Sequence, residues 1–333
     1  MKLSVLMSVY RESLFLLEKA INSIFSQTFN DFEFVIILDD PSNFNAESYL
    51  RDLSKKHMNV KIIVNSVNIG LTKSLNLGLH HCCGEFIARM DADDVSMPDR
   101  FEKQVNFLNE NTEIVACGSY FKYIDVDGNE IGRVKLRITP KDIFDNIFFM
   151  SPFCHPSVMF RRIVDGKEVH YDESLKYSQD YGLWARLVIH HKMAVIPEYL
   201  FCYRISSSQI TSKNHSEQQQ CHVRTQKQLI CDLKILITEK QADILLNILN
   251  ERSLKYTNED IERSLICFIY NNKSNDKVNV SLFRYTILSN YSNYLPMYYP
   301  LYISLWRFFR MSFGLKKISS RCLVSMMNKY RVK

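Results

Sequence analysis

The sequence predicts an α/β domain, a mostly parallel central sheet flanked by helices, followed by a helical C-terminal region. Three observations carry this expectation. Between residues 3 and 91, apolar runs too continuous for half-exposed strands alternate with segments whose apolar residues recur at helical spacing, as in parallel strands covered on both faces. Two of those runs end abruptly in carboxylates, Asp39-Asp40 and Asp91-Ala92-Asp93-Asp94. Beyond Ser206-Ser207-Ser208 the pattern becomes helical, and no proline occurs until Pro296.

Taken in order, Leu3 to Tyr10 reads as a buried strand, and Leu17, Ala20, Ile21 and Ile24 mark a helix running up to Gln27. Phe32 to Leu38 is a second strand, followed by a Pro41-Ser42-Asn43 turn. Ala46, Tyr49, Leu50 and Leu53 mark the next helix, and Val60 to Val64 the third strand. Leu71, Leu75 and Leu79 share one helical face before the strand that ends at Asp91. Phe101, Val105 and Leu108 define a helix with Pro98 in its first turn, where a missing N–H costs nothing. Ile114 to Gly118 is a strand, Tyr123 to Asn129 carries a hairpin-type turn, and Ser157 to Phe160 is strand-like. Gln179-Asp180 opens the helix of Leu183, Trp184, Leu187 and Val188. In the C-terminal region Leu229, Leu233, Leu236, then Ile244, Leu245, Ile248, then Ile261, Leu265, Ile269 keep helical spacing. The expected division is therefore 1–210 and 211–333.

A chain of 333 residues, 46% hydrophobic and 23% charged, builds a core without staples. Its nine cysteines are scattered, odd in number and without a Cys-x-x-Cys pair, which reads as buried thiols in a reducing compartment. Met1-Lys2-Leu3-Ser4-Val5 leads directly into a strand, so a cytoplasmic protein without a signal peptide is expected. The net charge of +6 is uneven: residues 277–333 hold ten Lys or Arg and no Asp or Glu, leaving 32 basic and 36 acidic residues elsewhere. Twelve of those 57 residues are aromatic, among them Tyr298, Tyr299, Trp306, Phe308 and Phe309. Basic groups interleaved with aromatics suit an anionic membrane surface better than nucleic acid. Arg307 and Arg310 close the best apolar run short of the roughly 18 residues a spanning helix needs.

Ligands of open α/β sheets bind beyond the carboxyl ends of the strands. Asp39, Asp40, Asp91 and Asp93 thus fall on one edge. Carboxylates spaced like Asp91 and Asp93 repel unless a cation sits between them, and hard oxygens suit Mn²⁺ or Mg²⁺. The alternative is a helix cap, with Asp93 and Asp94 just ahead of Pro98.

Ser4-Val5-Leu6-Met7-Ser8-Val9-Tyr10, Leu38-Asp39-Asp40-Pro41-Ser42, Asn68-Ile69-Gly70, Met90-Asp91-Ala92-Asp93-Asp94, Pro98-Asp99-Arg100 with Gln104, His155-Pro156-Ser157 and Asp180-Tyr181-Gly182-Leu183-Trp184 follow one another in the order seen in family 2 glycosyltransferases. The resemblance spans about residues 1–210 and implies the Rossmann-like GT-A fold. It also implies transfer of a sugar from a nucleotide donor with inversion at the anomeric carbon. On it, Val9, Tyr10, Asn68 and Ala92 fall in the nucleotide-sugar pocket, and Asp40 resembles the carboxylate that holds uracil or ribose, a turn cap being its alternative. Asp91 and Asp93 match the DXD carboxylates, Asp93 as the metal ligand and Asp91 its support, while Asp94 is expected to cap the following helix. Arg89 is a candidate for the diphosphate. Asp180 matches the general base, or else caps its helix. His155, Trp184 and Arg204 are candidates for acceptor or donor contacts, with a structural histidine as the equal alternative and a core place favoured for the tryptophan, which shares an apolar face with Leu183 and Leu187. Pro41 stands where the family commonly has Gly, Gln179 where it has Glu, and Arg11 where it has Asn.

Resemblance and tail together imply an enzyme using a UDP-sugar on a saccharide acceptor carried by a polyprenyl diphosphate, peripheral on the inner face of the cell membrane, in O-antigen or capsule synthesis. Nucleotidyl transfer would want a Gly-rich phosphate loop after the first strand, and Tyr10-Arg11-Glu12-Ser13 is not one. A non-catalytic sugar-nucleotide-binding or scaffold protein is the other alternative, against which the carboxylates at 91, 93 and 180 count.

Overall fold

The computed structural model describes residues 1–205, 215–250 and 255–292, in two compact units, Met1–Thr225 and Gln226 onward. The division between these units falls inside a helix. Residues 293–333 of the basic aromatic tail lie outside the described residues.

In the first unit β1 (Leu3–Val9), α1 (Leu14–Phe25), β2 (Phe32–Leu38), α2 (Phe44–Lys56), β3 (Val60–Val64), α3 (Leu71–His81) and β4 (Phe86–Asp91) follow the predicted alternation. The strands β3-β2-β1-β4 are neighbours and all parallel. β1 and β2 are buried along their whole length, as their unbroken apolar sequences require. The register pairs Ser8 with Asp91 and Val9 with Leu38, so the carboxylates just past those positions share one sheet edge.

The second half of the sheet holds β5 (Val95–Ser96), β6 (Ile114–Ile124), β7 (Glu130–Val134), β8 (Met159–Arg161) and β11 (Lys192–Arg204). Short β8 runs antiparallel between β4 and β6, so the long strands β1 to β4, β6 and β11 keep one direction. β9 (Ile163–Val164) and β10 (Lys167–Glu168) form a separate two-stranded ribbon. The predicted hairpin joins β6 to β7, with Gly128 at φ +100° in its turn, a conformation glycine adopts freely. β6 extends six residues past the expected Gly118 because its far half pairs with β7 and β11.

Helix α4 spans Arg100–Glu110, with α5 at Pro140–Asn146 and α6 at Gln179–Val188. Pro98 lies before α4, not in its first turn; its carbonyl accepts from the Thr28 N–H at 2.9 Å. Arg100, wholly buried, donates to the carbonyls of Arg89 (2.9 Å) and Val158 (3.3 Å), and through Nε to Gln104. Gln104 in turn donates to the Cys117 and Ser157 carbonyls. This pair ties the functional end of β4 to β6 and β8. Burial pushes the Arg100 guanidinium down to about 9.

Helix α7 (His215–Asp232) leads into the second unit, which holds α8 (Glu239–Asn250), α9 (Asn258–Asn271) and α10 (Val280–Ser292). Ile244, Leu245, Ile248, Ile261 and Leu265 are buried as their spacing predicts. Leu236 is exposed instead, because α7 has already ended, and Phe268 is the buried residue near expected Ile269, stacked on Phe283 at 4.0 Å. No helix among the described residues is long and apolar enough to cross a membrane.

Candidate active site

The site lies at the carboxyl edge of β1, β2 and β4. Arg89, on β4, is 1% exposed and forms an ion pair with Asp91, while its Nε has no hydrogen-bond partner. Burial opposes the Arg89 charge, and the charge and hydrogen bond of Asp91 outweigh it, so its pKa is raised. Glu12, Asp91, Asp93, Asp94 and Asp180 all lie within electrostatic reach of that guanidinium. The Arg89 guanidinium thus faces five carboxylates.

The imbalance shows in their protonation. Burial, then the charges of Asp91 and Glu12, push the Asp93 carboxyl up to about 7. Burial and the same aspartates raise Asp94 well above the carboxylate range, and burial raises Glu12 and Asp180 as well. Among the described residues no three His, Cys, Asp or Glu side chains by themselves converge into a metal cage.

Asp39 and Asp40 separate in role. Asp39 accepts from the N–H groups of Ile69 and Gly70 and from Asn65 Nδ2, at 2.7 to 2.9 Å, fastening the loop that follows β3. Gly70 has φ +85°, which the entry to α3 demands of it. Asn68 donates to the Asp39 carbonyl at 3.1 Å. Asp40 accepts from the Ser42 N–H and hydroxyl and from Arg11 Nε, which together hold it down to about 2. Arg11 thus contributes a cation beside Asp40, and Pro41 leaves the Ser42 turn intact. Val9 and Ala92 are buried, and Tyr10 is partly open at the rim, its carbonyl accepting from Asn43 Nδ2 at 3.1 Å.

The sequence pattern of Glycosyl transferase family 2 matches residues 4–166. An uncharacterized glycosyltransferase of Methanocaldococcus jannaschii is 36% identical over 204 residues, which are 61% of this chain and 70% of that protein. The chain belongs to glycosyl transferase family 2. The glycosyltransferase is also similar to the amylovoran biosynthesis glycosyltransferase AmsE of Erwinia amylovora, 33% identical over 63% of this chain and 79% of that one. A third relative is the Escherichia coli UDP-Gal:alpha-D-GlcNAc-diphosphoundecaprenol beta-1,3-galactosyltransferase, 29% identical over 56% of this chain and 67% of that protein. Among solved structures, Staphylococcus aureus TarS 1-349 in complex with UDP-GlcNAc superposes with a TM-score of 0.60 at 17% identity, covering 87% of this chain and 89% of that one. That likeness establishes the GT-A fold.

Two expectations about the glycosyltransferase's side chains change with the geometry, those for Asp94 and Arg204, while Trp184 takes its favoured place in the core and His155 its structural alternative. Asp94 does not cap α4, whose N-cap is Asp99; its Oδ1 accepts the Arg204 N–H at 2.7 Å instead. Arg204 is fully buried, and its guanidinium is engaged with the carbonyls of Asp93, Asp125 and Val126, not presented to a phosphate. Trp184 is 0% exposed, packed edge-on to Phe153 and Phe160, and offers no platform to a sugar. His155 is hydrogen-bonded through Nε2 to the Tyr171 hydroxyl at 2.8 Å, and burial lowers its pKa well below the usual histidine value, which keeps it neutral.

Asp180 lies in the first turn of α6, whose N-cap is Ser178 in the left-handed region at φ 53°, so the aspartate itself is not the cap. Glu12 is the residue that sequence reasoning missed. Its position just beyond β1, on the same edge as Asp40 and Asp91, was the available signal. Its side chain accepts the Tyr10 N–H at 2.7 Å.

Proposed function

We propose that this glycosyltransferase moves a hexose or N-acetylhexosamine from a UDP-sugar to a saccharide acceptor, inverting the anomeric centre. The acceptor is a polyprenyl-diphosphate-linked saccharide, and the product serves a surface polysaccharide such as O-antigen or capsule. The observation that carries the reading is the convergence of five carboxylates on the buried guanidinium of Arg89. One named relative supports the choice of substrate class: it is a UDP-Gal:alpha-D-GlcNAc-diphosphoundecaprenol galactosyltransferase.

Asp93 and Asp91 are hard oxygen donors whose mutual repulsion Arg89 offsets only in part, a donor set suited to Mn²⁺ or Mg²⁺. One or two carboxylates completed by substrate phosphate are how such ions are commonly held. When bound, the ion supplies neutralising charge to the departing diphosphate. Arg89 adds fixed positive charge on the same side, and Asp40 takes hydroxyls of the nucleoside. Asp180 accepts the proton of the attacking sugar hydroxyl on the opposite face, and its raised pKa makes it a stronger base than an ordinary carboxylate. Residues 277–333 are assigned to contact with the cytoplasmic face of the membrane, where such an acceptor is anchored.

The test is a screen of UDP-, GDP- and dTDP-sugars for Mn²⁺-dependent transfer, with the product's anomeric configuration read by NMR. A UDP-sugar turned over with inversion is expected. A retained configuration, or turnover confined to GDP- or dTDP-sugars, overturns it.

A further inference from the structure

A cavity of about 290 Å³ lies outside the carboxylate cluster, between the extended segment after β7 and the α5 region. That size is at the lower end for small-ligand pockets, roughly 300–1,000 Å³. Lys135 and Arg137 border it, with Leu136, Asn146, Met150 and Ser151 among the other walls. From Ile131 to Lys141 the chain carries four basic residues and no acidic one. Basic and apolar residues alternate along it: Val134 and Leu136 pack against the core while the cations between them stay outside.

The neighbouring charges are spoken for. Arg133 pairs with Glu130, Lys141 with Asp145, and Asp142 bonds the Thr139 hydroxyl. Among the described residues Lys135 and Arg137 have neither a carboxylate nor a hydrogen-bond partner. Two adjacent uncommitted cations over partly apolar walls suit an anion that carries a hydrocarbon.

The cavity is also fastened to the catalytic side. Tyr181, the residue after Asp180, donates to the Ile147 carbonyl at 2.8 Å, just beyond the α5 wall of the cavity. Phe153, next to the wall residue Pro152, stacks edge-on against Trp184 of the same helix at 5.3 Å.

We propose that this cavity is the subsite for the acceptor's diphosphate ester, with Lys135 and Arg137 as its charge partners and Leu136 and Met150 beside the first carbons of the lipid. This rests on the reading of the protein as a transferase to a diphosphate-linked acceptor, and it adds where that diphosphate is held.

The experiment is titration calorimetry in EDTA, which silences a metal-dependent diphosphate site. The probes are inorganic pyrophosphate, a short prenyl diphosphate and phosphatidylglycerol vesicles, applied to the full chain and to Lys135→Gln/Arg137→Gln. Both diphosphates are expected to bind the unaltered protein, and to bind at least tenfold more weakly to the double variant, with vesicle binding equal in the two. Arg133→Gln, altering a cation already paired, should retain diphosphate affinity. The proposal is overturned if the unaltered protein binds neither diphosphate, if the double variant binds them as well, or if only vesicle binding depends on the two cations. UDP titrated with Mn²⁺ into the unaltered protein reports separately on the donor site, so failure of the functional reading is distinguishable from failure of this one.

Discussion

Arg204 Nε donates to the Asp93 carbonyl at 2.7 Å, so the turn that carries Asp93 is held in place by a residue at the end of a different strand. The same guanidinium spans to the Asp125 and Val126 carbonyls, joining that turn to the β6–β7 hairpin. Arg204→Met leaves these carbonyls without their donor, at about 1–3 kcal/mol for each group that water does not reach. We expect a loss of about 3 kcal/mol or more in urea unfolding. In protein still folded at low temperature, Mn²⁺ affinity by electron paramagnetic resonance should fall about tenfold or more, the usual cost of losing a group that orients a ligand.

Asp180→Asn removes the proposed base. The expected loss in kcat is about 10²- to 10⁴-fold, with UDP affinity unchanged. Burial raises the Asp180 pKa, so in the unaltered enzyme the acid limb of the kcat profile should lie above the ordinary carboxylate range. The sign for stability follows: keeping this group ionised costs the folded state free energy above the unfolded pKa of about 3.9. Asp180→Asn should therefore melt higher than the unaltered protein at neutral pH. A variant with wild-type turnover would remove the base assignment.

Asp40 behaves in the opposite sense. Held down to about 2 by Ser42 and Arg11, it stays ionised far into acid, so its contribution to stability is complete above about pH 4 and is lost only as pH falls through about 2. UDP affinity should accordingly be insensitive to Asp40 between about pH 5 and pH 8. Asp40→Ala should weaken UDP binding about tenfold, the equivalent of about 1.4 kcal/mol, in a calorimetric titration.

The sheet was legible because its strands are apolar on both faces: β2 and β3 match their expected bounds. The carboxylate edge was legible because parallel strands place their ends together. What escaped depended on pairing between distant segments. The strand-like stretch at Ser157–Phe160 became β8, but three residues of strand gave no sign that it separates β4 from β6. Asp94 and Arg204 are 110 positions apart, so a cap was the local reading of Asp94 and a phosphate contact the local reading of Arg204. Glu12 lies in a loop whose neighbours in space, Asp91 and Asp93, come from another strand end.

Gly84 tests the support beneath the site. A Cβ there would lie 2.5 Å from the Ser4 backbone nitrogen and 2.6 Å from the Leu3 carbonyl carbon, both in the neighbouring strand β1. Backbone cannot yield as a side-chain tip can, so Gly84→Ala should cost about 1–3 kcal/mol in urea unfolding. Gly128→Ala meets no atom within 4 Å but keeps φ at +100°, so its cost should come from backbone strain alone, about 1 kcal/mol.

Asp93 connects protonation to the metal. With its pKa pushed up to about 7 by burial, Asp91 and Glu12, it is half protonated near neutrality, whereas a free aspartate would be fully ionised. A cation bound there must displace that proton, so affinity should rise about tenfold per pH unit below about 7 and level off above it. Manganese titrations from about pH 5.5 to pH 8.5, read by electron paramagnetic resonance, measure this directly. Asp93→Asn should bind Mn²⁺ weakly with no such slope. Because the ionised carboxylate is penalised in the metal-free fold, the same variant should melt higher than the unaltered protein above about pH 7 in EDTA. Added Mn²⁺ should narrow or reverse that difference, since it stabilises only the protein that holds it. A pH-independent affinity in the unaltered protein would detach the metal from Asp93.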